Sequence, residues 1–172
     1  MPYAFGHLTG CWIFAKIYER LKHTLFSHME WGILLFGAIL PDIDLLLDWT
    51  FDTAIHRWAT HSLFFAIIIG LLTYSFFRII KPFAKKVKPM SYGFCISFGI
   101  LTHLVLDMAL GSPGIQLFWP SHYGVWLFGM APYPTNTFFD HDLRPLLSFA
   151  IFDMAIGTAW IGYLWMRKRI TL

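Results

Sequence analysis

Leu63–Ile80 has the sequence LFFAIIIGLLTYSFFRII, and this stretch decides the fold class. It contains one charged side chain, Arg78, which lies close to its end. A helix that crosses the hydrocarbon layer of a membrane needs roughly 20 consecutive apolar residues. We therefore predict a transmembrane helix here, bounded on both sides by polar sequence.

Four further apolar segments surround this one, and the composition of the whole chain fits them. The chain is 57% hydrophobic and 13% charged, whereas soluble domains carry about 25% charged residues. We predict an all-α fold: a polytopic transmembrane bundle of about five helices, with residues 1–172 forming a single membrane-embedded domain. The four other segments are Tyr3–Tyr18, Trp31–Trp49, Tyr92–Leu110 and Leu146–Met166.

Clusters of positive charge predict the orientation, because basic loops remain on the cytoplasmic side. With five spans, three basic clusters fall on one side, which puts the N-terminus outside. The loop at 111–144 then lies outside, and its aromatic rings suit the headgroup level, so we predict a polar and aromatic outer loop. The basic clusters are Lys16, Arg20 and Lys22; Lys81, Lys85, Lys86 and Lys88; and Arg167, Lys168 and Arg169.

Most histidines and aspartates fall toward the outer half under this topology. Ionisable groups at membrane depth are costly and are usually paired and functional. The most informative motif is His103-x-x-x-Asp107, because a spacing of four puts both side chains on one helix face. Such a pair can bind zinc or another divalent metal. A hydrogen-bonded pair that ties two helices together remains the alternative.

Two other motifs add candidate ligands. In Pro41-Asp42-Ile43-Asp44 the proline breaks an apolar helix and leaves two carboxylates at the break. A helix cap would explain one of these aspartates but explains two less well. The second motif, HRWATHS, contains His56, Arg57 and His61 and precedes the long apolar helix at Leu63. Because His56 and His61 are five residues apart, we expect one to be a ligand and the other to support the site or contact substrate.

These motifs, in this order, resemble the membrane-bound metal-dependent hydrolases of the YdjM type, a group of LexA-regulated inner-membrane proteins. The resemblance covers most of the chain, and it departs from the family pattern at Trp58, where members often have glycine. The motifs that carry it are His7, PDID at 41–44, HRWATHS at 56–62, HLVLD at 103–107 and LFWP at 117–120.

A more distant similarity is to the zinc-dependent phospholipase C fold. It implies one ion held by four ligands and a second ion held partly by His7, with Asp107 bridging. That fold's further ligands have no counterpart here. The four ligands implied for the first ion are Asp42, His56, His103 and Asp107.

The function that we predict is hydrolysis of a lipid or lipid-linked ester, most simply a phosphoester, at the extracytoplasmic face of the plasma or inner membrane. One or two divalent ions, zinc or else manganese or iron, would activate water. Asp44, His61 and Arg57 form the predicted catalytic group. Arg57, together with Arg144, is expected to hold an anionic headgroup.

Two other functions stay open. Intramembrane carboxylates and a broken helix also occur in metal- or proton-coupled transporters. Axial haem ligation by two histidines is the third possibility. Apart from the bilayer and a lipid substrate, the sequence predicts no nucleic-acid partner and leaves the oligomeric state open.

Overall fold

The computed structural model describes residues 4–51, 58–84, 86–110, 114–127, 129–132 and 143–170. These residues are mostly helical, as the sequence predicted. The helices are α1 (Ala4–Lys22), α2 (His28–Ile39), α3 (Ile43–Phe51), α4 (Leu63–Ile80), α5 (Pro89–Leu110) and α6 (Leu143–Ile170). Short 3-10 turns at Leu40–Asp42 and Ala59–His61 precede α3 and α4.

Local sequence explains where the central helices begin and end. At the start of α2, Ser27 and Glu30 form a capping box, in which each side chain binds the other residue's backbone N–H. Pro41 ends α2 and sits in the 3-10 turn, so the predicted break in the second apolar segment is confirmed. Ser62 caps α4 by accepting a hydrogen bond from the Phe65 amide.

Helix α5 is the centre of the fold and packs between α2 and α4. Small residues bring the helices close together. A Cβ atom on Gly37 of α2 would lie 2.5 Å from the Ile96 carbonyl oxygen of α5. On the other side of α5, Ser97 donates a hydrogen bond of 2.9 Å to the Ala66 carbonyl of α4. Helix α1 covers α2 and α5, and α6 packs against α1.

The outer face of α4 is apolar and uncovered. Ile67, Leu71 and Leu72 are each 60% exposed, and only 11% of the 18 residues of α4 are buried inside the protein. Two helices among the described residues, Leu63–Ile80 and Pro89–Ala109, are long and apolar enough to cross a membrane. An exposed face of this kind suits contact with lipid rather than water.

The loop between α5 and α6 contains a β-hairpin that the sequence did not predict. Strands β1 (Tyr123–Trp126) and β2 (Gly129–Pro132) pair antiparallel, and Val125 also forms a bridge with Ile115. The hairpin is attached to the bundle, because the Leu127 amide donates to the Met108 carbonyl at the end of α5. Pairing strands satisfies backbone groups that would otherwise be costly near an apolar environment.

Candidate metal centre

Polar side chains from five elements meet at one end of the bundle. Their positions follow from local structure: the first turns of α1, the two 3-10 turns, the start of α3 and the last turns of α5. Most of these side chains are at most 1% exposed, whereas Asp42 is 20% exposed. The members of this cluster are His7, Asp42, Asp44, His61, His103 and Asp107.

The orientation of His103 is fixed by a backbone group on the neighbouring helix. Its Nδ1 atom lies 2.7 Å from the carbonyl oxygen of Ala38, which can only accept a hydrogen bond. In the neutral imidazole the proton is therefore on Nδ1, and Nε2 carries the lone pair. A backbone carbonyl on the far nitrogen is the usual support for a metal-binding histidine.

His61 is oriented by Asp44 and Thr60. Its Nδ1 atom lies 3.3 Å from Asp44 Oδ2 and 3.1 Å from Thr60 Oγ1, while the Thr60 hydroxyl donates to the same carboxylate. With a carboxylate and a hydroxyl oxygen on this side, Nδ1 is the protonated nitrogen of the neutral ring. The Nε2 lone pair of His61 then points into the cluster, as that of His103 does.

The two Nε2 atoms lie 3.2 Å apart, and two carboxylates each place an oxygen near both of them. Asp42 Oδ1 is 3.5 Å from His61 Nε2 and 3.6 Å from His103 Nε2. Asp107 Oδ2 is 3.4 and 3.5 Å from the same two nitrogens. Ligands on a tetrahedral zinc ion, with bonds of about 2.0–2.2 Å, lie about 3.3–3.6 Å from one another. Each carboxylate therefore completes a triangle of suitable size for one ion.

His7 forms a second group with the other oxygen of Asp107. Its ring stacks on His103 with centroids 3.7 Å apart, and its Nε2 lies 3.5 Å from Asp107 Oδ1. Neither ring nitrogen of His7 nor either oxygen of Asp107 has a hydrogen-bond partner among the described residues. Buried polar atoms without partners are rare in proteins. A cation would satisfy the Asp107 oxygens and the lone pair on one ring nitrogen of His7, whose other nitrogen carries the proton of the neutral ring.

The charges of the cluster also favour a cation. Burial alone would lower the pKa of His61, but its hydrogen bonds with Asp42 and Asp44 outweigh burial and raise that pKa to about 9. The carboxylates therefore attract positive charge to the His61 ring. A divalent ion bound at Nε2 would supply the same positive charge in place of the proton.

Most of the site residues that were predicted from the sequence lie close together in the structure. His7, Asp42, His103 and Asp107 lie in the cluster, and Asp44 touches the far side of His61. His56 and Arg57 lie outside the described residues, and so does the side chain of Arg144. His61, which the sequence analysis assigned to the catalytic group, has its Nε2 in a ligand-like position.

Sequence reasoning missed two supporting contacts. The Ala38 carbonyl carries no sequence signal, because any residue supplies one. The Thr60 hydroxyl stands next to His61 in the chain, but no motif in the sequence marked it as part of the site. Its contact with Asp44 depends on how the two 3-10 turns meet, which no local pattern encodes.

Comparison with known proteins points to a membrane protein family. The family model described as YdjM inner membrane protein matches residues 1–169, which is nearly the whole chain. No curated protein and no solved structure matches this sequence.

Proposed function

Because the chain belongs to the YdjM inner membrane protein family, we propose that it is a polytopic membrane enzyme that hydrolyses a lipid or lipid-linked ester with the help of a divalent metal. A phosphoester is the preferred substrate class. The observation that carries the proposal is the pair of buried Nε2 atoms, 3.2 Å apart and flanked by Asp42 and Asp107. Lone pairs and carboxylates in such proximity repel one another unless positive charge lies among them, and a divalent ion supplies that charge to both rings at once.

The first ion would be held by Asp42, His61, His103 and Asp107. His7 and Asp107 Oδ1 would contribute to a second. An imidazole nitrogen has one lone pair, so His103 Nε2 can serve one ion only. Mixed histidine and carboxylate ligands suit zinc, manganese or iron. When bound, such an ion polarises a phosphoryl or carbonyl oxygen and makes bound water a nucleophile at neutral pH.

Asp42 lies on the accessible side of the cluster. At 20% exposed it is the most open of the six cluster residues, and its neighbours Ile43 and Leu47 on α3 are exposed apolar residues. A polar ligand beside apolar surface suits an amphiphilic substrate whose ester bond must reach the site while its chain stays in lipid. Asp44 and Thr60 keep the His61 ring in place on the buried side.

The distribution of charge supports an extracytoplasmic position for the site. The cluster lies at the end of α5 opposite to Lys88, and the basic residues of α1 lie at the end opposite to His7. The positive-inside tendency then puts the cluster toward the extracytoplasmic face. Arg57 and Arg144 are proposed to bind the anionic headgroup, since guanidinium groups match phosphate oxygens.

Metal analysis of the detergent-purified protein tests the proposal. We expect stoichiometric zinc, manganese or iron in the wild type, and its loss in His103→Ala and Asp107→Ala. His122→Ala is the matched control, because His122 is exposed on the outer loop. The same variants should lose hydrolysis of phospholipid substrates. A wild type that binds no metal even after reloading would refute the proposal and favour a transporter with histidine–aspartate contacts between helices.

A further inference from the structure

Asp153 lies in the middle of α6 and is 5% exposed, although its helix is otherwise mostly apolar. Its carboxylate binds the start of α1. Asp153 Oδ2 accepts a hydrogen bond of 3.0 Å from the Phe5 amide, and Oδ1 accepts one of 2.6 Å from the Gly6 amide. One side chain on the last helix therefore caps the first helix.

Physical chemistry makes this a strong contact. The first four N–H groups of a helix have no partner within the helix, and the helix dipole favours a negative charge there. A carboxylate inside an apolar helix is costly unless it is paired. The Asp153 carboxylate gives the unpaired amides of α1 their acceptors, and these amides in turn pair the carboxylate. The position of α6 therefore determines where the first turn of α1 lies.

Gly157 completes the contact one turn after Asp153. A Cβ atom there would lie 2.5 Å from Cγ of the Phe5 ring, so the ring packs directly on the α6 backbone. The spacing of four residues puts Asp153 and Gly157 on one face of α6. Together they form what we call the α1 seat: Asp153 holds the amides of Phe5 and Gly6, and Gly157 receives the Phe5 ring.

The α1 seat is directly next to His7. The rings of His103 and His61 are each held through Nδ1, by the Ala38 carbonyl and by Asp44 with Thr60 respectively. In contrast, neither nitrogen of His7 has a hydrogen-bond partner among the described residues. Its place over His103 and beside Asp107 therefore depends on ring stacking and on the backbone that precedes it.

We propose that Asp153, together with Gly157, is a positioning residue that holds His7 at the metal centre. The proposal rests on the proposed function in one respect only, namely that His7 helps to bind the second ion. The dependence of His7 on the α1 seat can be tested without any metal.

The test uses Asp153→Asn and Gly157→Ala in the full-length, detergent-purified protein. Asparagine keeps one acceptor oxygen but places an NH2 group against one of the two amides. Thr158→Ala and Gly162→Ala are the controls. Among the described residues, the Thr158 hydroxyl bonds within its own helix, to the Met154 carbonyl, and a Cβ on Gly162 meets no atom within 4 Å. The readout is the rate at which diethyl pyrocarbonate modifies His7 in the metal-stripped protein, followed by peptide mass, with His61 and His103 as internal references.

We expect His7 to be modified about tenfold faster in both seat variants, while His61 and His103 stay as protected as in the wild type. General loosening of the fold would expose all three histidines equally. The controls should match the wild type. If Asp153→Asn fails to fold, Gly157→Ala decides. Equal protection of His7 in the folded seat variants and in the controls would overturn the proposal.

Cobalt titration followed by visible absorption tests the link with the metal. Loss of a supporting residue commonly costs 10–100-fold in metal affinity. We expect the weaker of two cobalt binding steps to lose at least tenfold in affinity in the seat variants, with the tighter step unchanged. A wild type that binds no cobalt would refute the metal function, while the His7 modification rates would still decide whether the α1 seat positions His7.

Discussion

At the scale of single residues, the cluster is organised by what holds the far side of each ring. Asp44 and Thr60 face His61 Nδ1, and the Ala38 carbonyl faces His103 Nδ1. These partners leave both Nε2 atoms facing inward, toward Asp42 and Asp107. In the proposed metal site, the side chains of Asp44 and Thr60 would therefore influence metal affinity through His61, since they orient its ring and favour the proton on Nδ1.

Thr60→Val tests this influence with a change of similar shape. Valine cannot donate to Asp44 or accept from His61 Nδ1, so we expect metal affinity to fall about tenfold or more. Thr60→Ser keeps the hydroxyl group and should bind metal as the wild type does. Competition titration with a chromophoric chelator measures both constants. Equal affinities in the valine and serine variants would contradict a role for the hydroxyl.

Asp44→Asn tests how much the negative charge of Asp44 contributes to the support of the His61 ring. The amide can still accept from His61 Nδ1, but it carries no negative charge, so the imidazole becomes a weaker ligand. We expect a loss in metal affinity within the 10–100-fold range, with metal stoichiometry kept at high metal concentration. The chelator titration again gives the constant, and a curve that overlays the wild type would contradict the expectation.

At the scale of elements, the site depends on the close approach of α2 and α5. A Cβ atom on Gly99 would lie 2.9 Å from the Ala38 nitrogen and would also meet the Leu34 carbonyl oxygen. These are backbone atoms, which cannot rotate away. Ala38 is also the residue whose carbonyl binds His103. The packing of α2 on α5 and the orientation of the His103 ring therefore depend on the same turn of α2.

Gly99→Ala should push α2 and α5 apart. Overpacking of this kind costs about 1–3 kcal/mol, and it should also weaken the hydrogen bond from His103 to Ala38. We expect a lower melting temperature and reduced metal content. Gly32→Ala is the control, because a Cβ there meets nothing within 4 Å and alanine favours a helix by roughly 0.5–1 kcal/mol over glycine. Thermal unfolding in detergent compares them, and equal melting temperatures would exclude the clash.

At the scale of the whole molecule, the two ends differ in their polar groups. One end holds the histidine and aspartate cluster, at the end of α5 to which the β-hairpin is attached. The other holds buried Glu19 and Glu30, whose charges are met by Lys16 at 2.7 Å and Lys88 at 3.9 Å. The Ser91 hydroxyl also donates to Glu30. The lysines thus lie at the end opposite to the site, as the proposed extracytoplasmic orientation of the site predicts.

Cysteine labelling tests this orientation. The native Cys11 and Cys95 are fully buried, so background labelling should be low. We expect a membrane-impermeant maleimide to label His122→Cys in spheroplasts and Lys86→Cys only in inverted vesicles, since both positions are exposed at opposite ends. The reverse pattern would place the metal cluster on the cytoplasmic side.

The sequence by itself determined the helical class, the long span at Leu63–Ile80, the break at Pro41 and the pairing of His103 with Asp107 on one helix face. These features are local, because hydrophobic length, proline geometry and helical periodicity act within a few turns. The family followed from the same motifs and is confirmed over residues 1–169.

The tertiary structure alone decided which side chains meet. It placed His61 Nε2 against His103 Nε2, although these residues are 42 positions apart. It joined Asp153 to the amides of Phe5 and Gly6 across 148 and 147 positions. It also folded part of the outer loop into a hairpin over the end of α5. Such contacts depend on the packing of α1, α2, α5 and α6, and no periodicity or spacing in one segment encodes the distance to another.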